Sequence, residues 1–447
     1  MERNFTKGNI TKSLVIFSIP MIIGNIFQQF YNVADTLIVG RTLGATALSA
    51  VGSSYAIMTL ITSIILGFCM GGSVVFSQYY GANKYDLMKI SITNAFSFIL
   101  VISIIINIIS FLLLDHMIIW LNIPTEAIQM THDYLWIIFI GIFFIFIYNF
   151  FASVLRSIGN TVIPLVFLIV AAITNIVLDI VFITQFHMGV AGAAWATVIA
   201  QALSAVCIVI YYFYKAKHIS PQRQHWKYNK EIIKSIINNS TLTAIQQSIM
   251  NLGILMVQGL VNSFGLAVSA AFAAVVKIDA FAYLPAQDFG NAFSIYVAQN
   301  YGALKANRIK KGLKKALTLS VVFCIISSLL VCFFAEHLMA IFISTSEHEV
   351  IQIGVNYLRI EGAFYIGIGI LFIWYGYFRG LGKSDASIVL TIISLGIRVI
   401  LAYILSAIPT IGLVGVWWSV PIGWAIADLV GLYLYKRVKL PSQSDPN

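Results

Sequence analysis

Twelve long apolar runs, separated by short polar or Gly/Pro-rich stretches, constrain this chain more than any other feature. They fall at about 14–39, 46–76, 91–114, 128–152, 161–184, 189–214, 236–262, 267–297, 316–335, 351–375, 386–406 and 412–435. A helix needs about 20 apolar residues to cross the hydrocarbon of a bilayer, and every run supplies at least that many. Charged residues make up only 10% of the 447, against roughly 25% in an ordinary soluble domain, too few to coat several water-facing surfaces. A soluble fold is therefore excluded. A transmembrane β-barrel is excluded as well, because its strands alternate apolar and polar residues over about ten positions. Twelve spans consume about 240–300 residues, so any chemistry must sit inside the helices or at their ends. The runs at 46–76 and 267–297 are long enough to be tilted or broken. The N-terminal MERNFTKGNITKS, followed directly by the first run, reads as a retained span rather than a cleaved leader.

The net charge of +10 has a topological cause. An even number of spans puts both termini on one side. All but four of the 27 Lys and Arg residues lie in the two tails and the even-to-odd loops, the exceptions being Arg41, Lys277, Arg359 and Arg398. Basic loops stay in the cytoplasm, so both termini are expected there, in the cell membrane. With the charge so explained, nucleic acid is not an expected partner. Cys69, Cys207, Cys324 and Cys332 all lie in apolar runs without metal-ligand spacing and read as reduced thiols.

The two halves resemble each other. Ser77-Gln-Tyr-Tyr-Gly-Ala-Asn-Lys84 matches Ala298-Gln-Asn-Tyr-Gly-Ala-Leu-Lys305 at an offset of 221. Tyr134-Leu135 and Arg156-Ser-Ile-Gly159 match Tyr357-Leu358 and Arg379-Gly-Leu-Gly382 at 223, as Gly189 to Trp195 matches Gly412 to Trp418. Six spans per repeat give both copies the same orientation. The expected architecture is thus an all-α integral membrane protein of 12 transmembrane helices, in two parallel six-helix repeats around a central cleft. Residues 1–214 would form the first bundle, 215–235 a basic cytoplasmic linker and 236–447 the second bundle. The KYNKEIIKSIINNS stretch at the end of the linker reads equally as an interfacial helix or as a solvated loop.

An ionisable group at the bilayer centre costs at least about 2.5–3.5 kcal/mol, so each one requires a partner or a function. The first bundle has Asp35 and Asp179; the second has Lys277, Asp279, Asp288, Glu361, Arg398 and Asp428. Counting 1.5 Å per residue from the nearest outer loop places Asp35, Asp179 and Thr197 at one level, roughly 9–12 Å inside the outer face. Asn175 is one turn from Asp179, and Tyr31 and Gln28 extend the Asp35 face inward. Two carboxylates with amide and hydroxyl oxygens make a hard-oxygen site suited to H⁺ or Na⁺. The structural alternative is that Asp35 bonds near a helix end and Asp179 only satisfies Asn175. Pro20 interrupts the first helix fifteen residues before Asp35, as a passive kink or as a hinge. In the second bundle, Lys277 and Asp279 sit two residues apart and do not share a face. Asp288 and Glu361 are candidates for a substrate cavity. There is no catalytic constellation, Walker loop, dinucleotide fingerprint or metal pair, so neither an enzyme nor an ATP-driven pump is expected.

With these spans and repeats, and with Ile19-Pro20, Asp35, Gly40 and the Gly44-Ala-Thr-Ala-Leu-Ser-Ala50 stretch in its first two helices, the chain resembles the MATE (multidrug and toxic compound extrusion) family over essentially its whole length. It looks most like the prokaryotic DinF-like branch, whose first-lobe cation site corresponds to Asp35, Asn175, Asp179 and Thr197. The resemblance implies coupling of H⁺ or Na⁺ entry to export of amphipathic, often cationic compounds, without a cofactor, by a chain expected to be a monomer. Asn149 also matches a polar-cavity position of the family. In the seventh span, where the NorM-like branch is expected to carry an acid, this chain has Gln246, Gln247 and Gln258; Glu361 and the acids of the eighth span remain as substitutes. The rival readings are a lipid-linked oligosaccharide flippase of the same superfamily, which would have more spans and a more cationic cleft, and a non-transporting receptor or scaffold, which would need large loops.

Overall fold

A computed structural model describes residues 3–120 and 123–440, and the described chain is almost entirely helical. The first repeat comprises α1 (Ile10–Leu43), α2 (Ala45–Gly81), α3 (Tyr85–Leu112), the short α4 (Leu114–Trp120), α5 (Ile128–Ser157), α6 (Val162–Ile180) and α7 (Gly189–Lys215). The second comprises α8 (Lys230–Asn262), α9 (Leu266–Gly302), α10 (Ala306–Phe342), α11 (His348–Gly362), α12 (Tyr365–Gly380), α13 (Ser384–Ser406) and α14 (Leu413–Arg437). Lipid cannot hydrogen-bond a peptide group, which is why each span closes its own ladder as a helix. Among the described residues, eleven helices are long and apolar enough to span, and the pair α11 and α12, bent by 51°, makes the twelfth. The long runs flagged for a break, α2 and α9, are continuous; the break falls in the tenth span instead. Pro20 and Pro285 both lie within continuous helices.

The backbone repeats itself along with the sequence. Eight of the positive φ angles fall in matched pairs: Gly44 (87°) and Gly265 (106°), Asn83 (58°) and Leu304 (54°), Gly159 (84°) and Gly382 (74°), Gly189 (60°) and Gly412 (51°). The first two pairs are 221 apart and the last two 223, the offsets of the sequence matches. The turns at Asn83 and Leu304 close with the same bond, from Lys84 N to Tyr79 O and from Lys305 N to Asn300 O (3.0 and 2.9 Å). Leu304 holds a left-handed backbone that leucine rarely adopts, so the turn geometry has prevailed over side-chain preference.

By contacts the chain forms two units. One is the stretch ending at Asn4 together with Ile19–Ala244; the other is Phe5–Ser18 together with the chain from Ile245 on. The first helix of each repeat is therefore divided, α1 next to Pro20 and α8 at Ala244. Within the second unit, the buried Phe5 ring packs on Phe17 and Tyr296. Its backbone is held by Gln299 (2.9 Å), Asn300 (3.2 Å) and Arg308 (2.8 Å). In the first unit, the linker residues His225 and Lys227 accept hydrogen bonds from Thr93 and Asn94 of α3 (both 2.9 Å). The KYNKEIIKSIINNS stretch is neither a separate interfacial helix nor a loop. From Lys230 it opens α8, with the Asn229 side chain capping the amides of Glu231 and Ile232 (both 3.1 Å).

Close helix approach in a bilayer depends on small residues, because no hydrophobic effect drives one helix against another there. In the second unit α9 and α12 meet at glycines. A Cβ on Gly376 would collide with the Gly290 carbonyl, and one on Gly380 with the Ser294 carbonyl. Gly259 in α8 has open space around it. Gly376→Ala should cost about 1–3 kcal/mol by forcing backbones apart, whereas Gly259→Ala should be neutral or stabilising by up to about 1 kcal/mol. Thermal unfolding of the detergent-solubilised variants measures both.

Candidate functional site

Of the residues of α6, only Pro164, Asn175 and Asp179 are buried. This helix turns its apolar side chains outward and its polar ones inward, the arrangement a bilayer selects. Asn175 and Asp179 are spaced i and i+4, so they share that inward face. Immediately after them, residues Val181–Gln185 form a π turn, the kind of helix irregularity that recurs at functional sites. On α1, Asp35 is 8% exposed while Val33 and Leu37 beside it are half exposed. Thr197 enters from the first half of α7, 2% exposed.

These residues meet. The carboxyl groups of Asp35 and Asp179 lie within hydrogen-bonding reach of each other. Asn175 Nδ2 donates to Thr197 Oγ1 at 3.2 Å, and the Tyr31 hydroxyl pairs with the same threonine. Four buried oxygens find no hydrogen-bond donor: Asp35 Oδ1, both carboxyl oxygens of Asp179, and Asn175 Oδ1. No cationic side chain pairs with either aspartate among the described residues. Buried acceptors left this way each cost about 1–3 kcal/mol or more, and one proton or one Na⁺ placed among them would satisfy several at once.

The other candidates divide. Tyr31 joins the group, but Gln28 is exposed. Asn149 is half-buried and donates to the Ile145 carbonyl of its own helix (2.9 Å). Asp288 is buried on α9 and Glu361 at the end of α11, both in the second unit. There Glu361 belongs to a second cluster. Its carboxyl lies within reach of Asp279, to which Tyr365 donates a hydrogen bond, while Tyr357 and Arg398 complete the set around Glu361. Lys277 is not part of it; its ammonium lies 6.0 Å from the Phe342 ring.

Tyr134 is not among the site residues read from the sequence; it stands in the field of Asp35, Asp179 and Tyr31. Arg398, one of the intramembrane charges of the second bundle, faces Glu361 and Asp279. The signal was in the repeat. Tyr134 and Tyr357 match at 223, as do Asn175 and Arg398, so each bundle brings the same two positions to its buried acids.

Twelve spans in two matched repeats, with acids buried among the helices, define a polytopic membrane protein. The MatE family pattern matches residues 20–181 and 243–404, and the chain belongs to that family. It is 32% identical over 395 residues to the probable multidrug resistance protein YpnP of Bacillus subtilis, covering 88% of this chain and 87% of that one. It is 22% identical to the multidrug export protein MepA of Staphylococcus aureus, covering 96% and 94%. Its fold matches that of a MOP superfamily transporter from Pyrococcus furiosus with a TM-score of 0.91, at 24% identity and covering 97% and 96% of the two chains.

The Asn175 to Thr197 bond is the tie between α6 and α7 at this level. Thr197→Val strands the Asn175 amide and should destabilise the chain by about 1–3 kcal/mol. Thr197→Ser, which keeps the hydroxyl, should recover most of the loss in the same thermal unfolding assay.

Proposed function

We propose that this chain is a cation-coupled antiporter of the cell membrane that exports amphipathic, often cationic compounds, with Asp35 and Asp179 exchanging the coupling ion. The observation that carries the reading is the pair of adjacent buried carboxyl groups with unpaired oxygens and no cationic partner among the described residues. An intramembrane acid without a counter-charge is a default ion-pathway residue. Asn175 and Thr197 add oxygens at the same level, which suits H⁺ or Na⁺ equally by ligand chemistry. The names of the relatives, a multidrug resistance protein and a multidrug export protein, support the cargo class.

On this reading each bundle moves as one body, the chain acts as a monomer, and both termini face the cytoplasm with the basic loops. Energy couples to cargo because occupancy of the aspartate pair shifts the balance between two access states, and the ion can shift it only by its differential affinity for them. Pro20, close to where α1 passes from one unit to the other, is the hinge we assign to that change.

The test is ethidium uptake into everted vesicles containing the chain, with pH and Na⁺ gradients imposed separately. One gradient should drive uptake in the parent. Asp35→Asn and Asp179→Asn should each reduce it at least about tenfold, equivalent to about 1.4 kcal/mol. Full gradient-driven uptake by Asp35→Asn would remove the mechanism.

A further inference from the structure

The second unit contains a buried arginine with no anion beside it. Arg379, 4% exposed, lies in the last turn of α12. Its Nε donates to Ser294 Oγ at 3.3 Å and its Nη2 to Asn291 Oδ1 at 2.6 Å. Both acceptors are neutral. Among the described residues Nη1 has no partner and no carboxylate pairs with the guanidinium, although Asp288 lies one turn from Asn291 on the same helix. The arginine lines a small, open-mouthed pocket whose other walls include Gln246, Gln287 and Asn291. Gln246 is 2% exposed, and its Oε1 is buried without a donor.

A cation withdrawn from water costs several kcal/mol unless an opposite charge compensates it. Here three neutral amides and the rest of the guanidinium converge on open space instead. The Gln246 amide can rotate to present its NH₂ there, since its Oε1 is held by nothing. Such a donor set is made for a planar oxyanion, which a guanidinium binds in a two-point fork.

The internal repeat provides a control. At the same offsets the first bundle carries Arg156 for Arg379 and Ser73 for Ser294, but Leu66 for Gln287 and Met70 for Asn291. The fold thus accepts apolar residues at both amide positions, so the polar wall of the second bundle is not required by helix packing.

We propose that the Arg379 pocket binds a carboxylate, the anionic end of a zwitterionic or anionic amphipathic cargo; the assignment to cargo rests on the export reading above. The pocket takes the head of the molecule, and its apolar body lies toward Met250 and Phe372, which also line it. The chain is then equipped for compounds carrying both charges as well as for plain cations.

Benzoate and benzamide, equal in shape and different in charge, test the pocket without reference to transport. In thermal unfolding of the purified full-length protein at constant ionic strength, benzoate at about ten times its Kd should raise the Tm by about 1.5 °C and benzamide should not. Asn291→Asp places a carboxylate on the guanidinium from within, so this variant should fold and lose the benzoate response. Arg379→Gln, if it folds, should lose it too. Equal responses to the two compounds in the parent, or a full benzoate response in Asn291→Asp, would overturn the site. Rhodamine 110, with a free carboxylate, and its methyl ester rhodamine 123 then test the cargo. Vesicles with the parent chain should favour the acid at least about threefold over vesicles with Asn291→Asp, after normalising each to the ester. An unchanged ratio overturns the cargo assignment. Ethidium, which has no carboxylate, is followed on the same vesicles; failure to move it counts against the export reading and leaves the benzoate result standing.

Discussion

A charge carried into hydrocarbon must find a partner, and most of what is particular to this molecule follows from where that demand is met. The helices, the glycine contacts and the repeated turns are what any polytopic chain needs to close its backbone hydrogen bonds in lipid. The few buried ionisable groups are different, because each one lowers stability unless something compensates it. In the second bundle Asp279 and Glu361 have Arg398, Tyr357 and Tyr365 around them. In the first bundle Asp35 and Asp179 have one another, two neutral side chains and two tyrosines. Similar backbones thus hold one acid pair with an internal cation and one without.

The spans and the first-bundle group were legible because helical rise is fixed. A residue's depth follows from its distance to the nearest loop, and three residues at one depth in one bundle have a good chance of meeting. Depth and face do not say what packs over a residue. Gln28, two turns from Asp35 on the same helix face, is exposed, and Asn149 gives its amide to its own helix. The second-bundle cluster was harder, since it joins α9, α11, α12 and α13 across a 51° bend that the apolar run at 351–375 does not reveal. Hydropathy counts residues toward a span and is blind to a kink between Gly362 and Tyr365.

The repeat carried more information than its use for topology extracted. Its pairs of positive φ angles show that matched sequence means matched turns. Given that, a residue found at a buried acid in one bundle nominates its counterpart in the other. Tyr134 nominates Tyr357, and Asn175 nominates Arg398. The second nomination changes chemistry: an amide in one copy is a guanidinium in the other, which places a fixed positive charge where the first bundle has only a dipole.

That single exchange bears on which bundle is suited to carrying a moving ion. An ion that must enter and leave needs a site whose ligands hold it without a permanent competitor. Arg398 is such a competitor, because its guanidinium lies against the carboxylates a cation would use. Around Asp35 and Asp179 the donors among the described residues are a neutral amide and hydroxyl groups, so an arriving proton or Na⁺ displaces nothing charged there. The two bundles share a repeat, and on the proposed reading the lack of a cation beside the first acid pair among the described residues, more than the presence of the acids, is what suits that pair to exchange.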